Sequence, residues 1–211
     1  MALGIGLVLA VIFTVCFVGF KFALNHYGGV ADPDARLLDI APDQPRALVD
    51  FSLTDQMGRT VTQGDFAGKY LVVDFIFTSC TITCPVVSRQ MAEIQTLTAG
   101  EPDVRLVSLT VDPADDTVEV LRQYGAGFDA DPGRWSFLTG NEAVIHRLIA
   151  VSFLAPDTAS QYAYMPGNFA HTDRIALVDP QGRVRSYFNG LNAEAADAVA
   201  AAIKRLRTSP P

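Results

Sequence analysis

The chain has 211 residues, 49% hydrophobic and 18% charged, with a formal net charge of −7. That length accommodates one ordinary domain plus an appendage, and the composition is that of a globular protein rather than a disordered one. The acidic balance and the absence of any dense Lys/Arg run argue against nucleic acid as a partner, because phosphate binding needs clustered cations.

Ala2 to Phe20 carries no charge and only Thr14 as a polar break. A helix of that length spans roughly 28 Å, close to the thickness of a bilayer core. No basic stretch precedes it, the apolar run exceeds that of a signal peptide, and no clean A-x-A site follows, so it reads as an uncleaved transmembrane anchor over residues 1–22. Positive-inside counting does not orient it, since Lys21 follows the span and nothing basic precedes it. Residues 23–46 are polar with interspersed Gly and Pro and read as a linker. His26 lies in it as an interfacial residue. The domain proper covers 47–208.

Within the domain, Leu48–Leu53 reads as a strand, Gln56–Arg59 as a turn and Thr60–Thr62 as the return arm of a hairpin. Tyr70–Phe77 (YLVVDFIF) is almost continuously apolar, as in a strand buried on both faces. Pro85–Leu97 follows as a helix, with Pro85 at its first position and Val87, Met91 and Ile94 on one face. Val104–Val111 is a second buried strand. Asp112 reads as the cap of a helix running to Tyr124 and stopped by Gly125, with Asp115 and Asp116 favouring its dipole in the first turn. Asn141–Val151 is a helix with His146 on its polar side. Ile175–Val178 and Val184–Phe188 form a terminal hairpin, and Ala193–Leu206 is the closing helix. Strands alternating with helices, then a hairpin and a helix, predict an α/β fold of thioredoxin-like arrangement: a mixed central sheet flanked by helices, with an N-terminal hairpin extension.

Three cysteines are present. Cys16 falls in the apolar span, where a small buried hydrophobe is the plainer account. Cys80 and Cys84 stand between a buried strand and a helix, where free N–H groups and the helix dipole favour thiolate. Spacing of i and i+4 sets their Cβ atoms about 5–6 Å apart on one face if the turn is helical, close enough to share one metal ion or, with adjustment, to join as a disulfide. Two thiolates select Cu(I), Zn(II) or iron–sulfur chemistry. Cysteines are too few for an iron–sulfur cluster, and structural zinc usually takes four protein ligands. One further ligand is well placed: His171, just before the Ile175–Val178 strand. Two thiolates and an imidazole suit three-coordinate Cu(I), and the same set could retain Cu(II).

The order of these motifs resembles the Sco/SenC family of copper-binding assembly factors. Phe51-x-Leu53-x-Asp55-x-x-Gly58 and Phe66-x-Gly68-Lys69 are similar to its opening hairpin. Phe75-x-Phe77-Thr78-x-Cys80-x-x-x-Cys84-Pro85 is similar to its metal motif. Thr110-Val111-Asp112-Pro113-x-x-Asp116-Thr117, Trp135-x-x-Leu138-Thr139-Gly140, His171-Thr172 and Val178-Asp179-Pro180-x-Gly182 complete the series. The resemblance implies copper held by Cys80, Cys84 and His171 and delivered to the binuclear copper centre of cytochrome c oxidase subunit II or another copper acceptor. It also implies a single-pass anchor in a bacterial-type inner membrane, with the domain on the periplasmic side. The competing reading is a thiol–disulfide oxidoreductase keeping a partner's cysteines reduced, with Cys80 attacking and Cys84 resolving. A peroxidase rests only on Thr78 lying shortly before Cys80.

The sequence departs from the family in having Thr81-Ile82-Thr83 between the cysteines, without a carboxylate, and Ala170 where an Asp often precedes the histidine. Met165 could add a thioether ligand, though packing explains it as well. Asp173 could orient His171, though Arg174 offers it an ordinary salt bridge. Asp74, a carboxylate in a buried strand, needs a partner or a raised pKa unless it faces a sheet edge.

Overall fold

The computed structural model describes residues 38–39, 46–153 and 173–208. The apolar N-terminal segment lies outside these residues, as do Met165 and His171. Among the described residues no helix is long and apolar enough to cross a membrane.

Nine strands of the described residues form one sheet. In chain order they are β1 (Leu38–Asp39), β2 (Arg46–Ala47), β3 (Ser52–Asp55), β4 (Thr60–Thr62), β5 (Tyr70–Ile76), β6 (Val104–Thr110), β7 (Trp135–Thr139), β8 (Arg174–Val178) and β9 (Arg183–Asn189). The order across the sheet is β1-β9-β8-β5-β6-β7-β3-β4, with β2 also on β9. β5, β6 and β7 are mutually parallel, and the flanking pairs are antiparallel, giving the expected mixed sheet. The helices are α1 (Thr83–Leu97), α2 (Val118–Ala126), α3 (Glu142–Leu148), continued by a π-helical turn at Ile149–Phe153, and α4 (Ala195–Thr208).

β5 sits at the centre and is buried along its whole length. Its alternate side chains feed two cores, since successive strand residues point to opposite faces. Leu71, Val73 and Phe75 join Phe51, Ile145 and Leu148 on one face. Tyr70, Val72 and Ile76 join Met91 and Ile94 of α1, Trp135 and Phe137 of β7, and Val199 and Ile203 of α4 on the other.

Two turns of identical design close the hairpins at the ends of the sheet. In Asp55-Gln56-Met57-Gly58-Arg59, the Asp55 Oδ1 accepts the N–H groups of Met57 and Arg59 at 2.9 and 2.8 Å, and Oδ2 accepts Arg59 Nε at 2.7 Å. In Asp179-Pro180-Gln181-Gly182-Arg183, the Asp179 Oδ1 accepts the N–H groups of Gln181 and Arg183 at 3.0 and 2.9 Å, and Oδ2 accepts Arg183 Nε at 2.8 Å. Gly58 and Gly182 occupy the left-handed region at φ 75° and 76°, which a side chain would strain.

Several boundaries differ from expectation. The strand expected over Leu48–Leu53 begins only at Ser52, because Leu48 and Val49 instead pack on the core edge and Val49 N–H donates to Ser152. Helix α1 opens at Thr83, so Pro85 is its third residue; the first turn has no intrahelical acceptor for its N–H groups, so proline is tolerated there too. Helix α2 starts at Val118 rather than after Asp112. Thr117 is its cap, accepting from Val120 N–H, and Asp112 to Asp116 form a loop. Gly125 does not stop α2, which continues through Ala126. It is glycine because a Cβ there would lie 2.8 Å from the ring of Phe137. Strand β7 has no counterpart among the expected elements, its residues falling instead within the Trp135-x-x-Leu138-Thr139-Gly140 motif.

Candidate metal centre

The cysteine pair lies where β5 ends and α1 begins. Cys80 N–H donates to Phe77 O at 3.1 Å, turning the chain over the top of the strand. The cap position of α1, Ile82, supplies no side-chain acceptor, and it is 78% exposed. The sulfur of Cys80 takes that role instead, accepting the Cys84 N–H at 3.4 Å, and lies 3.4 Å from the Thr83 hydroxyl.

This geometry makes the two thiols unequal. Partial burial disfavours the Cys80 thiolate, but the Thr83 hydroxyl, the N–H groups of Cys84 and Ile82 and the Cys84 thiol outweigh it and lower Cys80 from 9.0 to about 6. Burial pushes Cys84 up to about 12, opposed by a hydrogen bond with the Phe77 backbone and reinforced by the negative charges of Cys80 and Asp74. Both are free thiols, Cys84 buried and Cys80 half-buried. At neutral pH the pair is one thiolate and one thiol, a soft donor set that gives up its second proton when a metal binds.

Beneath Cys84 lies a polar seam. Asp74 is on the central strand, not facing an edge, with no exposed surface. Its Oδ1 accepts the Ser108 hydroxyl at 2.5 Å, directly across the β5–β6 register, and Ser108 in turn accepts Trp135 Nε1 at 2.8 Å. Oδ2 has no partner. Burial lifts Asp74 from 3.8 to about 7, with the Ser108 hydroxyl opposing. A hydroxyl pair, buried Ser88 Oγ and half-buried Tyr124 Oη at 3.0 Å, joins α1 to α2 nearby.

Asp115 and Asp116 do not serve the dipole of α2. Asp116 is 1% exposed and folds back under the β5–α1 loop, accepting from Thr78 N–H, Thr78 Oγ1 and Thr110 Oγ1. Sequence reasoning missed this role for Thr78, Thr110 and Asp116; the T-V-D-P-x-x-D-T block was the only signal for it. His146 lies 3.8 Å from Glu142 on α3 and is partly exposed, on the polar side expected for it.

His171 lies outside the described residues, and among those described no group of three or more His, Cys, Asp or Glu side chains converges as a metal site. The antiparallel β5–β8 register pairs Val73 with Ala176. Continued, it sets Asp173 level with Ile76, so β8 begins at the same end of the sheet as the cysteine loop.

Comparison with known proteins gives this arrangement a family. The SCO1/SenC family model matches residues 41–208. The SCO1 protein homolog of Bacillus subtilis (strain 168) is 30% identical over 164 residues, covering 75% of this chain and 81% of the relative. The structure of BsSco, a member of the Sco family of cytochrome c oxidase assembly proteins in which a disulfide switch was identified, is 28% identical with a TM-score of 0.65, covering 79% of this chain and 96% of that one. Bradyrhizobium japonicum ScoI, solved with copper bound, is 27% identical with a TM-score of 0.59, covering 75% of this chain and 98% of that one. A dithiol at the β5–α1 junction of a thioredoxin-like sheet and a family match across the whole domain lead to one assignment: the chain belongs to the SCO1/SenC family.

Proposed function

We propose that the chain is a membrane-anchored copper-binding protein. It takes copper as Cu(I) on Cys80, Cys84 and His171 and passes it to the binuclear centre of cytochrome c oxidase subunit II. The observation that carries this reading is the Cys80–Cys84 pair itself: two sulfurs on one turn, one already ionised at neutral pH, in a family with a copper-bound member. Copper is the cargo here. Its two soft sulfur donors favour Cu(I), and the position of Cys80 on the loop above the sheet suits transfer by ligand exchange. The end of the sheet at which β8 begins supports His171 as the third ligand. The apolar run at Ala2–Phe20 supports residues 1–22 as anchor, placing the copper domain on the periplasmic side of a bacterial-type inner membrane. The expected bounds of spacer (23–46) and domain (47–208) shift towards the N-terminus, because Leu38–Asp39 and Arg46–Ala47 already pair with β9 in the domain's sheet.

Copper titration of the full chain in detergent, followed by absorption, tests this. One equivalent should bind, and Cys80→Ala, Cys84→Ala and His171→Ala should each lose it. A His171→Ala protein with unchanged affinity and spectrum would overturn the three-ligand site.

The inequality of the two thiols favours a second reading, reduction of a partner's disulfide. Cys80 is the accessible thiolate that attacks, and Cys84 the buried thiol that resolves the mixed disulfide. A Cys84→Ser protein that traps no partner through Cys80 would remove it.

A further inference from the structure

The Asp116 carboxylate is almost sealed from solvent, yet among the described residues its hydrogen bonds come from three donors. Thr78 N–H lies 3.1 Å from Oδ1 and 3.2 Å from Oδ2, Thr78 Oγ1 donates to Oδ1 at 2.5 Å, and Thr110 Oγ1 donates to Oδ2. Thr110 is the last residue of β6, and its hydroxyl also accepts the Asp112 N–H at 3.0 Å. Thr78 is two residues beyond β5 and two before Cys80. One side chain thus ties the cysteine loop to the loop after the neighbouring strand. Only an acceptor-only group satisfies all these donors, because an amide would turn its NH2 towards an N–H or a hydroxyl hydrogen. Among the described residues, the segment between Thr78 and Ile82 is also held by the Cys80 N–H to Phe77 O bond and the contacts of the Cys80 sulfur.

We infer that Asp116 is a positioning residue for the dithiol: through Thr78 it holds the loop so that the Cys80 sulfur stays in register with the first turn of α1 and within reach of Cys84. The inference rests on Cys80 and Cys84 being the working pair of the proposed function. Asp116 touches neither sulfur, so its effect passes through the Thr78 hydroxyl and N–H.

The test is the equilibrium of the full chain in detergent, in a Cys16→Ser background, with glutathione. Two electrons and two protons pass from the dithiol to glutathione disulfide, leaving a Cys80–Cys84 disulfide and two reduced glutathiones. Loosening the loop lowers the effective concentration of one thiol at the other, so Asp116→Ala and Thr78→Val should each reduce the equilibrium constant about tenfold, the equivalent of one charge-assisted hydrogen bond. Thr78→Ser, which keeps the hydroxyl, should stay with the wild type, and the double variant should shift no further than the larger single. Asp179→Ala removes an equally buried carboxylate from a distant turn and should lower the melting temperature without moving the constant. If Asp116→Ala does not fold, Thr78→Val carries the measurement. Constants within twofold of wild type for folded variants, or an equal shift in Asp179→Ala, would overturn the positioning role. Because the equilibrium is read without metal, a wild-type chain that takes up no copper defeats the copper reading alone.

Discussion

The backbone N–H of Cys84 points at the sulfur of Cys80, 3.4 Å away, so the second cysteine of the motif helps to ionise the first. The helix has no conventional cap, and the thiolate fills the vacancy, gaining the partial positive charge of the N-terminus. Burial has the opposite effect on Cys84 itself.

The reactivity of the two thiols should therefore separate by pH. Iodoacetamide modification, resolved by mass spectrometry in the Cys16→Ser background, should show Cys80 half-maximally reactive near pH 6 and Cys84 unreactive through neutral pH. Thr83→Val removes one of the donors and should move the Cys80 midpoint upward. A Cys80 midpoint near 9 in the wild type would contradict the geometry.

Asp74 should make the fold weaken as pH rises. Its folded pKa of about 7 exceeds the ordinary 3.8, so between those values the native state holds a proton that the unfolded chain releases. The stabilisation is fully present below 3.8 and is lost as pH climbs through about 7, where the buried carboxyl must ionise. The total is on the order of a few kcal/mol. Asp74→Asn, which stays neutral, should melt higher than wild type at pH 8 and lose this part of the pH dependence. Parallel melting curves for the two proteins from pH 5 to 8 would show that Asp74 does not titrate in this range.

Gly125→Ala should destabilise the protein despite alanine's better helix propensity. The new Cβ would lie 2.8 Å from the Phe137 ring, which is fully buried and stacked on Trp135 at 4.9 Å. Overpacking of this kind costs about 1–3 kcal/mol, against a propensity gain of about 1 kcal/mol. Chemical denaturation should give a lower midpoint; an unchanged or higher one would mean the ring can retreat.

What the sequence made legible follows the range of the interactions involved. Tyr70–Ile76 is recognisable because a strand buried on both faces must be apolar at nearly every position, and the cysteines because a strand–helix junction is a local pattern. Trp135–Thr139 passed as a motif because five residues with a serine among them show too little periodicity to announce a strand. Asp112 and Thr117 both look like helix caps, and only tertiary structure chooses Thr117, since Asp116 is drawn inward by Thr78 from 38 residues away. Asp74 was recognisable as an anomaly, but its partner Ser108 is set by strand register, which no local pattern encodes.

The matched turns at Asp55–Arg59 and Asp179–Arg183 bear on how the chain reaches its fold. Each closes through contacts no more than four residues apart, so little loop entropy opposes it, whereas the parallel β5–β6–β7 centre must wait for two crossovers. The outer hairpins should accordingly be the first parts to acquire protection during refolding. Pulse-labelled hydrogen exchange should find the N–H groups of Arg59 and Arg183 shielded before those of Val73 and Leu109, and the reverse order would assign the nucleus to the centre. Cys80 and Cys84, seated where the late-forming centre meets its first helix, would then be among the last features to take shape, leaving both sulfurs open to oxidants or stray metal while the chain is still folding.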